Sequence, residues 1–344
     1  MALWRLPPRL KHSSLKHFRS GMYLARTGRA YFCLGLSGLT EGVYGRTDMS
    51  SSSLVCRVLL SGALCAAAVA QADTLQKIAD SNTITVSYRE SAVPFSYVVN
   101  GSTIMGFSVD LSHAVVDAVR QRLGRPDLMV KYLPVNAQNR IPLLMAGNYD
   151  LECGSTTNNV ARGKDVAFSI NFFYAGTRVL VRKGDGIGSY ADLAGKQVTS
   201  VAGSTNLKVM QQYSDAHQLG MQWQPAKDYA DAFGLLAEGK VSAVALDDIL
   251  LYGLRANAAN PEQFTVVGDT LQVEPYACML RKGDPAFKSL VDGAITGLMR
   301  SGRFARLYAL WFQSPIPPRQ AVLAMPMSPA LQENLRVLSD QPAR

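Results

Sequence analysis

The sequence predicts an α/β fold built as two similar lobes, and three observations carry that expectation. Short β-branched runs alternate with amphipathic helical stretches, which implies a largely parallel sheet. The stretches RIPLLMAGNYDLECGST and AFGLLAEGKVSAVALDD share one plan: a Leu-Leu helix end, a glycine turn and a strand that ends in polar residues. Two passages, near Gly176-Thr177-Arg178 and near Glu274-Pro275, are placed to carry the chain between lobes as a two-strand hinge.

The elements follow in order. A β-branched strand spans 84–88 and stops at Arg89-Glu90. An amphipathic helix over 110–123 ends at Gly124, with Pro126 just beyond. A strand at 129–133 and a short helix at 140–145, closed by Gly147, lead to a strand at 148–153. That strand delivers ECGSTTNNVAR (152–162), where five small polar residues, Ser155 to Asn159, precede Arg162. The second lobe repeats the scheme with a strand at 197–201 and a helix opened by Gly203-Ser204-Thr205 and running to about 219. A helix ending at Glu238 and a strand at 243–246, terminated by Asp247-Asp248, complete it. A strand at 276–280 and helices at 287–301 and 305–312 follow, before Pro315-Ile316-Pro317-Pro318. Polar residues at strand C-termini are where open parallel sheets bind ligands.

The chain has 344 residues, 48% of them hydrophobic, ample for two medium lobes. Its net charge of +9 suggests nucleic acid until it is located. Residues 1–48 carry +6 and residues 73–344 only +2, so the charge argument for nucleic-acid binding fails. Residues 49–72 read as a signal peptide, with an apolar stretch from Val58 to Ala70 and an Ala70-Gln71-Ala72 cleavage site. Sec export with cleavage after Ala72 is expected, giving a periplasmic protein that starts at Asp73. A lipoprotein reading through Cys65 fits poorly, because Leu64 precedes it. Residues 1–48 read as an over-extended or unstructured N-terminal segment, with Met49 the true initiator.

Of five cysteines, Cys153 and Cys278 lie after the cleavage site, and an even pair in an oxidising compartment reads as one disulfide. The alternative is a thiol nucleophile at Cys153, which needs a histidine partner. His113 falls on the wet face of its helix and His217 near an exposed helix end, so neither is a ready partner. No catalytic residue, metal site or cofactor is expected.

Three guanidiniums, Arg89, Arg140 and Arg162, sit just after strands or at a helix start. Guanidinium forks match carboxylates in a bidentate manner. Asp247 ends a second-lobe strand and suits an ammonium; its neighbour Asp248 suits a helix cap. Gly203-Ser204-Thr205 opens a helix whose N–H groups favour an anion. Each residue has a plainer reading as well. Arg89 pairs with Glu90 in that reading, Arg162 with Asp165, and Phe95 either walls a cleft or packs beneath it.

RESAVPFSY (89–97), QNRIPLLMAGNYDLECGSTTNNVAR (138–162), GTRVLVRKG (176–184), DDILLYG (247–253), YACMLRKGDP (276–285) and WFQSPIPP (311–318) together carry a resemblance. Over residues 73–320 the chain resembles the periplasmic amino-acid-binding proteins of ABC transporters (family 3 extracellular solute-binding proteins), most closely those for glutamate and aspartate. The resemblance implies a two-lobed periplasmic binding protein fold that closes on its ligand. It places lobe 1 at 73–176 and 276–344 and lobe 2 at 177–275. Arg162 with Thr157 and Thr205 then grips the α-carboxylate, Ser155 and Asp247 accept the ammonium, and Arg89 and Arg140 read the side-chain carboxylate. Two positions depart from the pattern near the side-chain end: Ala137 stands where a serine is expected, and Tyr229 where a histidine is. The implied partners are L-glutamate or L-aspartate and an inner-membrane ABC permease, with the protein a monomer. A ligand-sensing module or a dehydratase-like enzyme on the same fold is the alternative, and Glu90 is the nearby carboxylate an enzyme would use.

Overall fold

The computed structural model describes residues 73–343. The segment 1–48, the signal peptide 49–72 and its cleavage site lie outside the described residues. The strands are Thr83–Tyr88 (β1), Ser91–Ala92 (β2), Ser96–Val99 (β3), Thr103–Met105 (β4), Met129–Pro134 (β5), Leu151–Glu152 (β6), Val166–Arg182 (β7), Gln197–Thr199 (β8), Gln222–Trp223 (β9), Ala243–Asp247 (β10), Phe264–Val267 (β11) and Val273–Arg281 (β12). The α-helices are Thr74–Ser81 (α1), Phe107–Leu123 (α2), Arg140–Met145 (α3), Thr205–Ala216 (α4), Tyr229–Ala237 (α5), Asp248–Asn257 (α6), Pro285–Arg300 (α7), Arg303–Phe312 (α8) and Pro329–Val337 (α9).

The main sheet runs β5-β1-β6-β12-β7-β10-β8-β9, with β11 also on β7. β5, β1 and β6 pair in parallel, as do β10, β8 and β9. The antiparallel pairs involve β7 or β12. These are the strands that carry the chain out of one lobe and back, and outward and returning strands must run in opposite directions. β7 is paired with β12 as far as Gly176 and with β10 from Thr177, so one 17-residue strand serves both lobes.

Both faces of the sheet are covered, and the side chains alternate accordingly. Val179, Val181, Ala243 and Ala245 pack into one cluster, while Leu180, Val244 and Leu246 point to the other face. On β12, Ala277 and Met279 face one way and Tyr276, Cys278 and Leu280 the other. Phe95 is fully buried and makes edge contacts with Phe107, Phe173, Tyr276 and Phe312. It therefore packs beneath the cleft, where burial of such a ring contributes about 1.5–3 kcal/mol.

Several sequence expectations are adjusted. The strand expected at 148–153 shrinks to Leu151–Glu152. The Asp150 side chain, not a strand carbonyl, accepts the Thr85 N–H at 3.0 Å, and it also pairs with Lys77 and Arg281. The small sheet β2-β3-β4 was not expected, although Asn100-Gly101 between β3 and β4, with φ of 52° and 72°, is a hairpin signal. Cys153 and Cys278 form a disulfide, which removes the thiol-nucleophile reading of Cys153. His113 is half-buried rather than wet, because its Nε2 lies 3.0 Å from the Tyr132 hydroxyl.

Beyond α9 the chain folds back. The Asn171 amide donates to Gln341 O and its backbone N–H to Ser339 O; the Asn158 amide donates to Asp340 O; and Ala343 N–H donates to Asn158 O. The end of the chain is thus laced to the segment that contains ECGSTTNNVAR.

Candidate binding site

Most of the predicted residues are delivered by the end of a regular element, and Ser155 and Thr157 by a loop. Arg89 follows β1 directly, and its backbone N–H donates to Ser96 Oγ at 2.9 Å. Arg140 is the first residue of α3, Thr205 of α4 and Tyr229 of α5, and Asp247 is the last of β10. Ser155 to Arg162 form the loop that runs from β6 to a one-turn helix at Arg162–Lys164. Asn159 Oδ1 accepts the Arg162 N–H at 2.9 Å, an Asx contact that sets the direction of the arginine.

The two lobes meet across this set. Ser155 Oγ lies 3.1 Å from Tyr229 Oη, and Thr157 Oγ1 lies 3.3 Å from Thr205 Oγ1. Arg89 sits over the Tyr229 ring, 5.1 Å from its centroid. Arg162 donates from Nη1 to Thr157 O at 3.0 Å and from Nη2 to Gly203 O at 3.4 Å, rather than pairing with Asp165. Ala137, the first departure from the pattern, is buried, and a Cβ placed on Gly203 would lie 3.0 Å from its carbonyl oxygen. Farther along, a Cβ on Gly253 would lie 2.3 Å from Val93 O, so only glycine permits that approach.

The cationic end holds Arg89 and Arg140, both buried. Arg140 Nη1 donates to Thr156 Oγ1 at 2.7 Å, and that hydroxyl donates in turn to Glu152 Oε1 at 2.8 Å. Burial, and then the neighbouring Arg89 charge, lowers the Arg140 pKa from the usual arginine value. Arg89 Nη1 and Arg140 Nε are buried without a protein partner. Arg162 is half-buried, and its pKa is pushed down to about 10, first by burial and then by Arg140.

The acidic end is built on Asp247. Asn206 Nδ2 donates to its Oδ1 at 2.9 Å, and the Tyr276 hydroxyl donates to its Oδ2. Burial, and then the charge of Glu274, pushes the Asp247 pKa up to about 8. Asp248 instead accepts the N–H groups of Ile249 and Gly176, a structural role at the start of α6. Glu274, on β12, accepts from both Thr157 at 2.6 Å and Thr205 at 2.5 Å.

The eight residues singled out from the sequence fall into four contact groups, around Tyr229, Thr157, Arg140 and Asp247. Sequence reasoning missed Glu152, Thr156, Asn206, Glu274 and Tyr276. Glu152 and Thr156 lay within ECGSTTNNVAR, Tyr276 opened YACMLRKGDP and Glu274 marked the hinge, but nothing local gave these residues, or Asn206, a role in the site. Asn158 faces away from the ligand residues, and its side-chain amide donates to Asn171 Oδ1 and to Asp340 O in the tail.

Recesses flank these groups on both sides. One of about 260 Å³ is bordered by Arg89, Glu90, Asn136 and Lys227, and one of about 390 Å³ by Thr205, Lys208, Lys164 and Gln272. A third, of about 290 Å³, lies between α2 and α8 beside Asp110, His113 and Trp311 and touches none of the three cleft arginines. Among the described residues no cluster of three or more His, Cys, Asp or Glu is placed to hold a metal.

The profile of the bacterial extracellular solute-binding proteins, family 3, matches residues 84–314. The glutamate/aspartate import solute-binding protein of Escherichia coli (strain K12) is 42% identical over 276 residues, covering 80% of this chain and 90% of that protein. The L-glutamate/L-aspartate-binding protein of Pseudomonas aeruginosa is 40% identical over 294 residues, covering 85% and 97%. Among solved structures, a mutant of ArgBP from T. maritima superposes with a TM-score of 0.61 at 27% identity, over 70% of this chain and 99% of that one. The ancestral amino-acid-binding protein AncCDT-1, a precursor of cyclohexadienyl dehydratase, gives 0.58 at 26%, again over 70% and 99%.

Proposed function

Because the chain belongs to the bacterial extracellular solute-binding proteins, family 3, we propose that it captures L-glutamate or L-aspartate between two closing lobes and delivers it to an ABC permease. The observation that carries this reading is the division of charge in the cleft. Two buried guanidiniums, each with a partnerless nitrogen, form one end, and the carboxylates of Asp247 and Glu274 form the other. An acidic amino acid matches that division, with its side-chain carboxylate on Arg89 and Arg140 and its ammonium on Asp247 and Ser155. Arg162, Thr157 and Thr205 take the α-carboxylate, and Tyr229 lies between Ser155 and Arg89. The 40–42% identical relatives named for glutamate and aspartate support the same ligands.

The lobes are taken as 73–176 with 276–344, and 177–275. The partner exchange of β7 between Gly176 and Thr177 supports the first boundary, whereas Val273, Glu274 and Pro275 already ladder with Gly176, Ala175 and Tyr174, three residues ahead of the second. Closure around that strand pair buries the ligand, and the closed form is what a permease reads. The protein works in the periplasm after cleavage of the signal peptide. A non-catalytic role is supported by the Cys153 disulfide, by the engagement of His113 with Tyr132, and by the exposure of Glu90 and His217.

Calorimetry with glutamate, aspartate, glutamine and asparagine tests the reading. Glutamine leaves two buried guanidiniums short of a charged partner, which costs about 2–5 kcal/mol. That is ~30-fold or greater discrimination at about 1.4 kcal/mol per decade. Equal affinity for glutamate and glutamine would sink it.

A further inference from the structure

Glu274 sits on β12 beside Pro275, where the chain crosses between the lobes, and it is fully buried. Its Oε2 accepts one hydroxyl from each wall of the cleft, Thr157 and Thr205, while its Oε1 is buried with no protein partner. A hydroxyl has a single proton to give. With both protons committed to Glu274, neither threonine has one left for an arriving carboxylate.

The assignment of Thr157 and Thr205 to the α-carboxylate, on which this inference rests, therefore demands an exchange. As the hydroxyls turn to the ligand, Glu274 loses both donors, and a buried carboxylate without donors is strongly unfavourable. A replacement must enter with the ligand, close to its α-carboxylate. The α-ammonium is one carbon away and brings three N–H donors. Asp247 and Ser155 take two of them. Glu274 Oε2 lies 2.6 Å and 2.5 Å from the two threonine hydroxyls that take the α-carboxylate, so it adjoins that end of the ligand and is the acceptor for the third.

We propose that Glu274 is a specificity-determining residue that makes binding conditional on an ammonium beside the α-carboxylate, by trading two threonine protons for one ammonium proton. The ligand class is then restricted to α-amino dicarboxylic acids. Dicarboxylates of the same length that lack the amine, such as glutarate, satisfy the arginines but strand Glu274.

A purely structural Glu274, tying the crossing strands together, predicts a different pattern, and titration calorimetry with L-glutamate and glutarate separates the two. Wild-type protein should favour glutamate over glutarate by more than ~100-fold, since two charge-assisted hydrogen bonds are at stake. Glu274→Gln should weaken glutamate by ~10–100-fold and strengthen glutarate, so that the ratio collapses. A variant that shifts both ligands in parallel, or leaves both unchanged, overturns the proposal. So does wild-type protein that binds both comparably, a measurement that needs no variant. Arg162→Gln separates this failure from failure of the site assignment: it should weaken both ligands together. If it leaves both untouched, the α-carboxylate assignment itself is wrong.

Discussion

The two ends of the cleft solve the same problem, burying charge, with groups of opposite chemical freedom. A guanidinium keeps its charge in a protein, so the cationic end is built on fixed charge and draws on Glu152 through Thr156. Asp247 can take up a proton, and burial beside Glu274 pushes it to do so. The cationic end therefore waits for an anion at every accessible pH, whereas the acidic end adjusts its protonation to what it meets. The difference teaches that selectivity against neutral side chains resides at one end and the pH response at the other.

The largest expected effect breaks the cationic end. Arg89→Met keeps the stem that packs near Tyr229 but removes the charge. Glutamate affinity should fall by ~100-fold or more, following the roughly 2–5 kcal/mol lost when one member of a buried charge pair is truncated. Glutamine affinity should change far less, so the two ligands converge, which calorimetry reads directly. Unchanged discrimination would mean that Arg89 does not read the side-chain carboxylate.

The acidic end answers to pH. Ligand-free Asp247 holds its proton below about 8, and an ammonium placed against it favours the ionised form. Binding then expels a proton, so affinity rises with pH towards about 8 and flattens beyond it. The slope is at most about tenfold per pH unit. Calorimetry at pH 7 in two buffers of different ionisation enthalpy should show proton release. Affinity that stays constant from about pH 6 to about 8 would mean that Asp247 does not meet the ammonium.

The smallest effect tests the seam between the ends. Tyr229→Phe removes the hydroxyl shared with Ser155 but keeps the ring beneath Arg89. A neutral hydrogen bond contributes about 0.5–1.5 kcal/mol, so glutamate affinity should fall ~2–13-fold. A loss beyond ~100-fold would move Tyr229 into direct recognition of the ligand.

Much of this arrangement was legible in the sequence where the signal was local. The helix at 140–145 has the expected bounds, and β1, β5 and β10 differ from expectation by one residue at an end. The arginines were found because a guanidinium at a strand end or helix start is unusual enough to stand out. The acidic end was half found. Asp247 announces itself at the end of a strand, but Glu274 is 117 residues from Thr157 and 69 from Thr205. Nothing local says that three such groups meet, because the contact is created by strand crossing. The short extent of β6 was hidden for a similar reason: the Asp150 carboxylate that replaces its ladder bond is held by Lys77 of α1 and Arg281 of β12, distant in sequence.

The docking of residues 339–343 has a practical side. Asn158 is five residues past Cys153 of the disulfide, and its amide is fastened to Asp340, 182 positions downstream. Ala343 lies in a β-bridge with Asn159, whose side chain steers Arg162. The tail is thus the back bracket of the loop that aims the arginine. An affinity tag fused after Arg344, or a protease that trims the last turn of chain, acts on the cleft from behind without touching it. Losses of ligand affinity in such material would report on the bracket and not on the residues that face the ligand.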